Sequence, residues 1–444
     1  MGSTKKIIKK SPKFIKKIYY NIVPFRFRYG RSYNDFLKLI KDSKTWSYDQ
    51  AKEYQLQTLR SLLGYCQLFV PYYNELFSDS GFDPNIKDLS DMKNLPCLTK
   101  QLIKSNFKRL RSVGYSAKTY DMHTSGTTGE RLHILGTDNL FKIEAAFITN
   151  AYNDHGAKLY EDHSIWIRRY SPNEGDPIYF DDLELNRSYM SAFDLNDKTI
   201  FDYVKYINQK QSKILVSYPS TIYYLAFLCE KYDLRLKHIK YIHGASEVCL
   251  KGWSQKIKDV FGIPIKMHYG QVEKVSFAHQ DMRDDCYKEN LIYGYNEFDD
   301  DNSIIGTGFY NHAMPLIKYK TNDIAEKTSA WIEHDGAYPK TIRNIQGRDG
   351  DMLITDRGAL VPAVNFYSFM SKIKFVDFFK IEQRKRDKKV LFYIVTNGDY
   401  NKDSKLKLTV EMRNRLGEVP LEIIEVDKID REKSGKFKAV RVYD

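Results

Sequence analysis

The chain has 444 residues, of which 42% are hydrophobic and 14% aromatic; that is enough apolar material for two or three folded domains of roughly 100–200 residues each, and too much for a disordered chain. Its net charge of +13 invites a nucleic-acid partner. The charge is local, however: Lys5, Lys6, Lys9, Lys10, Lys13, Lys16, Lys17, Arg26, Arg28 and Arg31 all precede the first acidic residue, Asp35, and removing these ten from 70 basic residues leaves 60 against 57 acidic ones. The body is nearly neutral, and no nucleic-acid-binding module accompanies the arm.

The five cysteines, Cys66, Cys97, Cys229, Cys249 and Cys286, are scattered without C-x-x-C spacing, which suits a reducing compartment and gives no zinc cluster. No run approaches the ~18 apolar residues of a membrane span, and no apolar leader opens the chain. These features place the protein in the cytoplasm.

In chain order, the arm (1–34) interleaves Ile7, Ile8, Phe14, Ile15, Ile18, Tyr19 and Tyr20 with lysines and is cut by Pro12 and Pro24. It reads either as an amphipathic helix suited to peripheral contact with an anionic membrane, at the inner face, or as a frayed, solvated arm. From Ser47 to Cys66 the apolar spacing is helical, with Ser47 or Asp49 as N-cap. Residues 239–246 and 265–273 read as short buried strands ending in glycine turns, with a helix over 220–234 between them. This alternation predicts an α/β fold. Beyond Gly347 a smaller α+β unit follows, with strands near 389–397 and 421–429 around a helix near 405–416. A cluster of glycines and charges over 346–358 marks the boundary. The expected domains are the arm, a large α/β domain over 35–350 and a small mobile lid over 351–444.

The most informative segment is Thr124-Ser125-Gly126-Thr127-Thr128-Gly129. Glycines alternating with small hydroxyl residues let backbone amides approach phosphate oxygens closely, although such a string is also compatible with a plain flexible turn. It lacks the lysine of a Walker loop.

Four further segments follow: Tyr269-Gly270-Gln271-Val272-Glu273, Tyr319-Lys320-Thr321-Asn322-Asp323, Gly347-Arg348-Asp349-Gly350-Asp351 and Ser434-Gly435-Lys436. In order and rough spacing the five resemble the motifs of the adenylate-forming (ANL) superfamily of acyl-CoA synthetases, luciferases and nonribosomal adenylation domains: [ST]-S-G-T-T-G, Y-G-x-x-E, Y-x-T-G-D, G-R-x-D-D and a C-terminal G-K. Residues 95–100, 306–323 and 347–354 resemble the phenylacetate-CoA ligase-like branch, particularly its CapK-type members associated with capsule and other surface polysaccharides. The resemblance runs from about Ser32 to the C-terminus.

It implies a two-step ligase that takes ATP with Mg²⁺, activates a carboxylate as acyl-AMP, and transfers the acyl group to an amine or another acceptor; coenzyme A is the alternative. The site is expected in the cleft between the large domain and the lid. Thr124 to Gly129 would hold phosphates. Glu273 would hold Mg²⁺. Asp323 would accept from the ribose hydroxyls, and Arg348 would lie near ribose and phosphate. Tyr269, Gly270 and the turn Gly244-Ala245-Ser246 would pack against adenine. Lys436 is the expected catalytic cation, neutralising charge between carboxylate and α-phosphate. Asp351 falls at the hinge of the lid.

Taken alone, each of these residues also has a plain reading: a helix-cap glutamate, a turn aspartate, an interdomain arginine, a solvated lysine beside Lys433 and Lys438. The sequence departs from the family at Arg131, near where a lysine often follows the loop, at Asn322 in place of glycine, and at Gly350 in place of the first paired aspartate. The departures at Asn322 and at Leu132 leave open a membrane-associated relative without catalysis. Some relatives carry a Cys/His cluster after Y-G-x-x-E, whereas here only His279 and Cys286 are present. His123, beside the loop, is a candidate for lining the substrate pocket but reads first, like His243 and His268, as a hydrogen-bonded structural residue, and the aspartates at 299–301 as a solvated turn. Trp166 to Phe193, including Arg168, Arg169 and Tyr170, is a candidate for substrate selection.

Overall fold

The computed structural model describes residues 7–8, 10–124, 132–168, 177–281, 286–327, 340–348, 352–362, 366, 369–370, 373, 375–396, 400–430 and 437–443. The fold is mixed α/β, as the alternation of elements predicts, and divides into two compact units. The first comprises residues 1–164, 181–187 and 267–345; the second comprises 165–180, 188–266 and 346–444.

The first unit is organised by the helix Tyr48–Phe69. Ser47 caps it: its hydroxyl accepts the Gln50 amide, and the Gln50 side chain accepts the Ser47 amide in return, satisfying two otherwise orphaned donors. Ala51, Gln55, Leu59, Leu62, Leu63 and Cys66 are its buried stripe, at the spacing that puts them on one helical face. The polar member is satisfied, since Gln55 donates to the carbonyl of Gly294 at 2.7 Å. Its Leu59, Leu62, Leu63 and Cys66 pack with Met92, Leu95, Leu98, Ile134, Phe309 and Tyr319 in one core, while Ala51 belongs to a second. That second core joins Tyr33 and Ile40 to Ile143, Ala146 and Phe147 of the helix Asp138–Asn153.

Strands β1 (Thr119–His123) and β2 (His133–Thr137) form an antiparallel hairpin. The other strands of this unit are β8 (Ile265–Gly270), β9 (Phe277–Gln280), β10 (Tyr287–Glu289), β11 (Gly294–Phe298), β12 (Ser303–Gly308), β13 (Tyr319–Lys327) and β14 (Lys340–Arg348), ordered β11-β12-β13-β14-β10-β9-β8. Leu98 is bonded beside the start of β13: its amide donates to the Lys318 carbonyl at 2.8 Å, and its carbonyl accepts from Lys320 at 3.0 Å.

In the second unit, β3 (Ser164–Arg168), β4 (Tyr179–Asp182), β5 (Arg187–Ser191), β6 (Ile214–Ser217) and β7 (Tyr241–Gly244) run in the order β7-β6-β3-β5-β4. β6 and β7 are parallel and wholly buried, as is usual for parallel strands covered on both faces. Helices Ile200–Gln209, Pro219–Lys231 and Lys251–Phe261 connect and flank them.

The C-terminal part of this unit has a short hairpin, β15 (Met352–Ile354) with β16 (Leu360–Pro362), and a sheet of β17 (Val376–Arg384), β18 (Val390–Thr396), β19 (Leu421–Glu425) and β20 (Val440–Tyr443), ordered β19-β18-β17-β20. The helix Lys402–Leu416, capped by Asn401, turns Leu408, Met412 and Leu416 into its core. Gln383, fully buried, accepts the Ile354 amide at 2.6 Å and donates to the Ile354 carbonyl at 2.7 Å, tying β15 to β17.

The arm forms a helix over Lys13–Ile22, bounded by Pro12, and a short helix over Phe25–Tyr29. Its second half is fixed to the body: Phe25 is buried and stacks on Tyr160 with ring centroids 3.8 Å apart. Among the described residues no helix is long and apolar enough to cross a membrane.

Candidate active site

The β1–β2 hairpin explains how a glycine-rich loop is presented. Its register sets His123 opposite His133, which brings both ends of the loop together. Buried Thr124 donates its amide to the Leu132 carbonyl at 3.0 Å, and the Leu132 amide donates to the Thr124 hydroxyl, also at 3.0 Å. This two-bond clamp fixes where the loop leaves and rejoins the fold. Ser125, Gly126, Thr127, Thr128, Gly129 and Arg131 themselves lie outside the described residues. His123 stacks on His133 at 4.8 Å, and His133 is hydrogen-bonded to Asp121 at 2.6 Å, so the histidine beside the loop takes part in hairpin packing.

The motif at 269–273 and the motif at 319–323 are joined reciprocally. Tyr269, at the end of β8, donates its hydroxyl to Asp323 at 2.9 Å; Tyr319, at the start of β13, donates its hydroxyl to Glu273 at 3.1 Å. All four side chains are buried. Burial pushes the Tyr269 hydroxyl well above the usual tyrosine range, and the neighbouring Asp323 carboxylate adds to this, so Tyr269 remains a neutral donor at physiological pH. Each tyrosine orients the acidic residue of the other motif. A carboxylate buried in this way costs several kcal/mol unless hydrogen-bonded.

Backbone strain brackets both acids. Asn322, immediately before Asp323, has φ +60°, and Lys274, immediately after Glu273, has φ +58°. Asn322 in place of the glycine of the Y-x-T-G-D pattern is thereby explained, because the turn demands a left-handed residue and asparagine is among the side chains that tolerate one. Asp323 is steadied further by its amide, which donates to the Thr321 hydroxyl at 3.1 Å. Lys274 is held by a largely buried ion pair with Glu144 at 2.6 Å.

The backbone at 274–275 lies so close over β11 and β12 that side chains there have no room. A Cβ at Gly294 would sit 2.7 Å from the Val275 carbonyl oxygen, one at Gly306 would sit 2.8 Å from the Val275 side chain, and one at Gly308 would collide with the Lys274 carbonyl. Gly270, by contrast, would meet only ordinary contacts.

In the second unit, β7 ends in the turn Gly244-Ala245-Ser246. Gly244 and Ala245 are buried, the Ala245 amide donates to the Ser217 carbonyl at 3.3 Å, and Ser246 takes φ +71°. The next residue, Glu247, belongs to none of the sequence motifs. One of its oxygens accepts the Phe437 amide at 2.7 Å and the other accepts the Ser220 amide at 3.3 Å, near the N-terminus of the helix Pro219–Lys231.

Phe437 is also part of an aromatic cluster. It lies 6.0 Å from Trp253 and 6.3 Å from Phe378, while Tyr223 stacks on Trp253 at 5.5 Å. Glu247 and this cluster therefore fix the residue that follows Lys436. Its partners lie 27 and 190 residues away in the sequence, a separation at which no local pattern shows.

Lys436 and Asp351 lie outside the described residues. Arg348 ends β14, and its side chain is likewise outside them. Tyr269, Gly270, Glu273, Thr124 and Asp323 fall in the first unit, and Gly244, Ala245, Ser246 and Arg348 in the second. Of the proposed selection segment, Arg168 packs its guanidinium 4.5 Å from the Tyr218 ring; Arg169 and Tyr170 are outside the described residues. His279 is hydrogen-bonded to Asp154 at 3.0 Å, and Cys286 accepts from Arg343 at 2.7 Å. His243 accepts or donates at 2.9 Å with Tyr241, and His268 stacks on Phe277 at 5.6 Å. Asp299 accepts the amides of Asp301 and Ser303 and pairs with Lys320 at 2.6 Å, which makes the acidic run a structured turn. Among the described residues no group of three or more His, Cys, Asp or Glu side chains could hold a metal ion.

Comparison with known proteins places the chain by sequence and fold. Residues 353–442 match the family model described as the CapK C-terminal domain. The chain is 23% identical over 403 residues to Protein CapK of Staphylococcus aureus, covering 88% of this chain and 87% of that one. Among solved structures it is similar to 2-hydroxyisobutyryl-CoA ligase in the postadenylation state with 2-HIB-AMP, with a TM-score of 0.73, 16% identity and coverage of 90% of this chain and 91% of that one. The open conformation of the same ligase, in complex with 2-HIB-AMP and CoA, matches with a TM-score of 0.56, 16% identity and coverage of 90% and 93%.

Proposed function

For a chain with the fold of the adenylate-forming ligases and a C-terminal domain of the CapK type, we propose an ATP-dependent ligase that activates a carboxylate as acyl-AMP. The observation that carries this reading is the reciprocal bonding of Tyr269 to Asp323 and of Tyr319 to Glu273. Two acids that separate motifs would assign to one nucleotide are each buried and held by the other motif's tyrosine.

Both reactants of the first half-reaction are anions at the point of attack, so the enzyme must supply position and positive charge rather than a nucleophile. A carboxylate oxygen attacks the α-phosphorus, the bond to the bridging oxygen of pyrophosphate breaks, and acyl-AMP and pyrophosphate result. In this reading Lys436 supplies the cation at the forming bond. Asp323 accepts from the ribose hydroxyls. Arg348 lies near ribose and phosphate, and Thr124 with Ser125, Gly126, Thr127, Thr128 and Gly129 wraps the phosphates. Tyr269, Gly270 and Gly244-Ala245-Ser246 pack the base.

Glu273 suits a magnesium ion, because a single carboxylate among phosphate oxygens and waters is a common way for Mg²⁺ to be held. The ion would offset charge on the phosphate oxygens as pyrophosphate leaves. Glu247 is a positioning residue: by holding the Phe437 amide it sets the base of the Lys436 segment.

In the second half-reaction an acceptor displaces AMP from the acyl carbon. We propose an amine acceptor in the making of a surface polysaccharide, supported by the capsule-type sequence motifs; a thiol, as in the CoA ligases sharing the fold, is the second reading. Five free cysteines support a reducing compartment such as the cytoplasm.

Carboxylate-dependent exchange of pyrophosphate into ATP, run across amino acids, aryl and fatty acids and uronic acids, tests the proposal. Exchange with one class that disappears in Lys436→Ala supports it. A folded protein that binds no nucleotide overturns it.

A further inference from the structure

The arm inverts the ordinary rule for a surface helix. In Lys13–Ile22, Phe14, Ile18 and Ile22 recur at intervals of four, share one face, and are 65%, 54% and 71% exposed. Ile15 is exposed beside them, and Ile7 before Pro12 is 65% exposed. The half-buried side carries Lys16, Tyr19 and Tyr20 instead. An isolated exposed apolar residue means little, but a contiguous apolar stripe turned to solvent marks an interaction surface.

The orientation of this helix is held in place. The Arg28 guanidinium lies 4.8 Å from the Tyr20 ring, and Arg28 donates to the Val23 carbonyl at 2.8 Å and to the Glu184 carbonyl at 2.6 Å. Phe25, two residues beyond Val23, is stacked on Tyr160. The polar side of the helix is thus tied to the body by the residues that follow it, and the apolar side is left outward.

The charge pattern selects the occupant. Lys13 and Lys17 flank the stripe, Lys10 lies one turn before it, and no acidic residue occurs before Asp35. Apolar residues backed by cations alone match a surface that is apolar beneath and anionic on top, which is the interface of an anionic bilayer. We propose that this helix docks the protein on an anionic membrane surface, with Phe14, Ile18 and Ile22 inserted at the acyl boundary and the lysines among the headgroups. The proposal goes beyond the ligase reading and does not depend on it.

The test is co-sedimentation of the full chain with large vesicles of phosphatidylglycerol and phosphatidylcholine, against vesicles of phosphatidylcholine alone. Binding is expected to the anionic vesicles, weakening as salt rises. Phe14→Ser with Ile18→Ser should reduce it by roughly tenfold or more, and Lys13→Gln with Lys17→Gln should reduce it less and flatten its salt dependence. These side chains are exposed, so the variants should keep the wild-type melting temperature. Three results would overturn the proposal: no binding to anionic vesicles, binding undiminished by Phe14→Ser with Ile18→Ser, or a concentration-dependent dimer abolished by those same substitutions, which would assign the face to a second copy.

Discussion

Glu247 accepts the backbone amide of Phe437 at 2.7 Å, so a side chain next to the Gly244-Ala245-Ser246 turn holds the residue that follows Lys436. If that bond positions the lysine, Glu247→Ala should slow pyrophosphate exchange by about tenfold or more. Turnover of acyl-AMP supplied from outside should change far less, and Glu247→Gln, which retains one acceptor oxygen, should recover part of the loss. Equal damage to both half-reactions would leave Glu247 a structural residue only.

Lys436→Ala should lower pyrophosphate exchange by about 100-fold or more and leave the melting temperature nearly unmoved. An unchanged exchange rate would remove Lys436 from the mechanism.

Tyr319→Phe and Tyr269→Phe each delete one hydroxyl that donates to a buried acid. Each should cost about 1–3 kcal/mol of stability in denaturant unfolding. In kinetics, Asp323→Asn should raise KM for ATP, and Tyr269→Phe should do so more weakly, by leaving Asp323 less well oriented.

Asn322 supplies a direct check on backbone strain. At φ +60°, Asn322→Gly should be neutral or slightly stabilising, while Asn322→Val should destabilise by about 1–3 kcal/mol, read from the urea midpoint.

Asp154 predicts a pH dependence. Burial alone would raise its carboxyl, but hydrogen bonds from His279 and Lys44 outweigh this and hold it at about 2. A depressed folded value means the stabilisation is present above the unfolded carboxyl value near ~4 and is lost as pH falls from there toward the folded value. The full loss, complete only near the folded value, should be roughly 2 kcal/mol, of which about half falls between pH 6 and pH 3; Asp154→Asn should abolish that part of the acid sensitivity in unfolding measured over this range.

What was readable in the sequence depended on how far apart the interacting residues lie. The Ser47 cap and the helix it opens are local, as are β7, β8 and the C-terminal strands, and their patterns sufficed. The acids Glu273 and Asp323 were legible through motifs, but their exchange of tyrosines was not, since it joins residues 46 and 54 positions apart. Asn322 looked like a departure because composition cannot show φ; the left-handed turn makes it a conservative choice. The close packing of residues 274–275 on three glycines was equally hidden, because Gly294, Gly306 and Gly308 read as ordinary turn or strand residues until the backbone above them is in place.

Gly308 couples the sheet to the acid that would meet the metal. A methyl group there would push the Lys274 carbonyl, and Lys274 is peptide-bonded to Glu273. Selection for loss of function should therefore recover substitutions at Gly308 that abolish turnover while touching neither nucleotide nor substrate, a lesion that sequence inspection would class as a silent surface change.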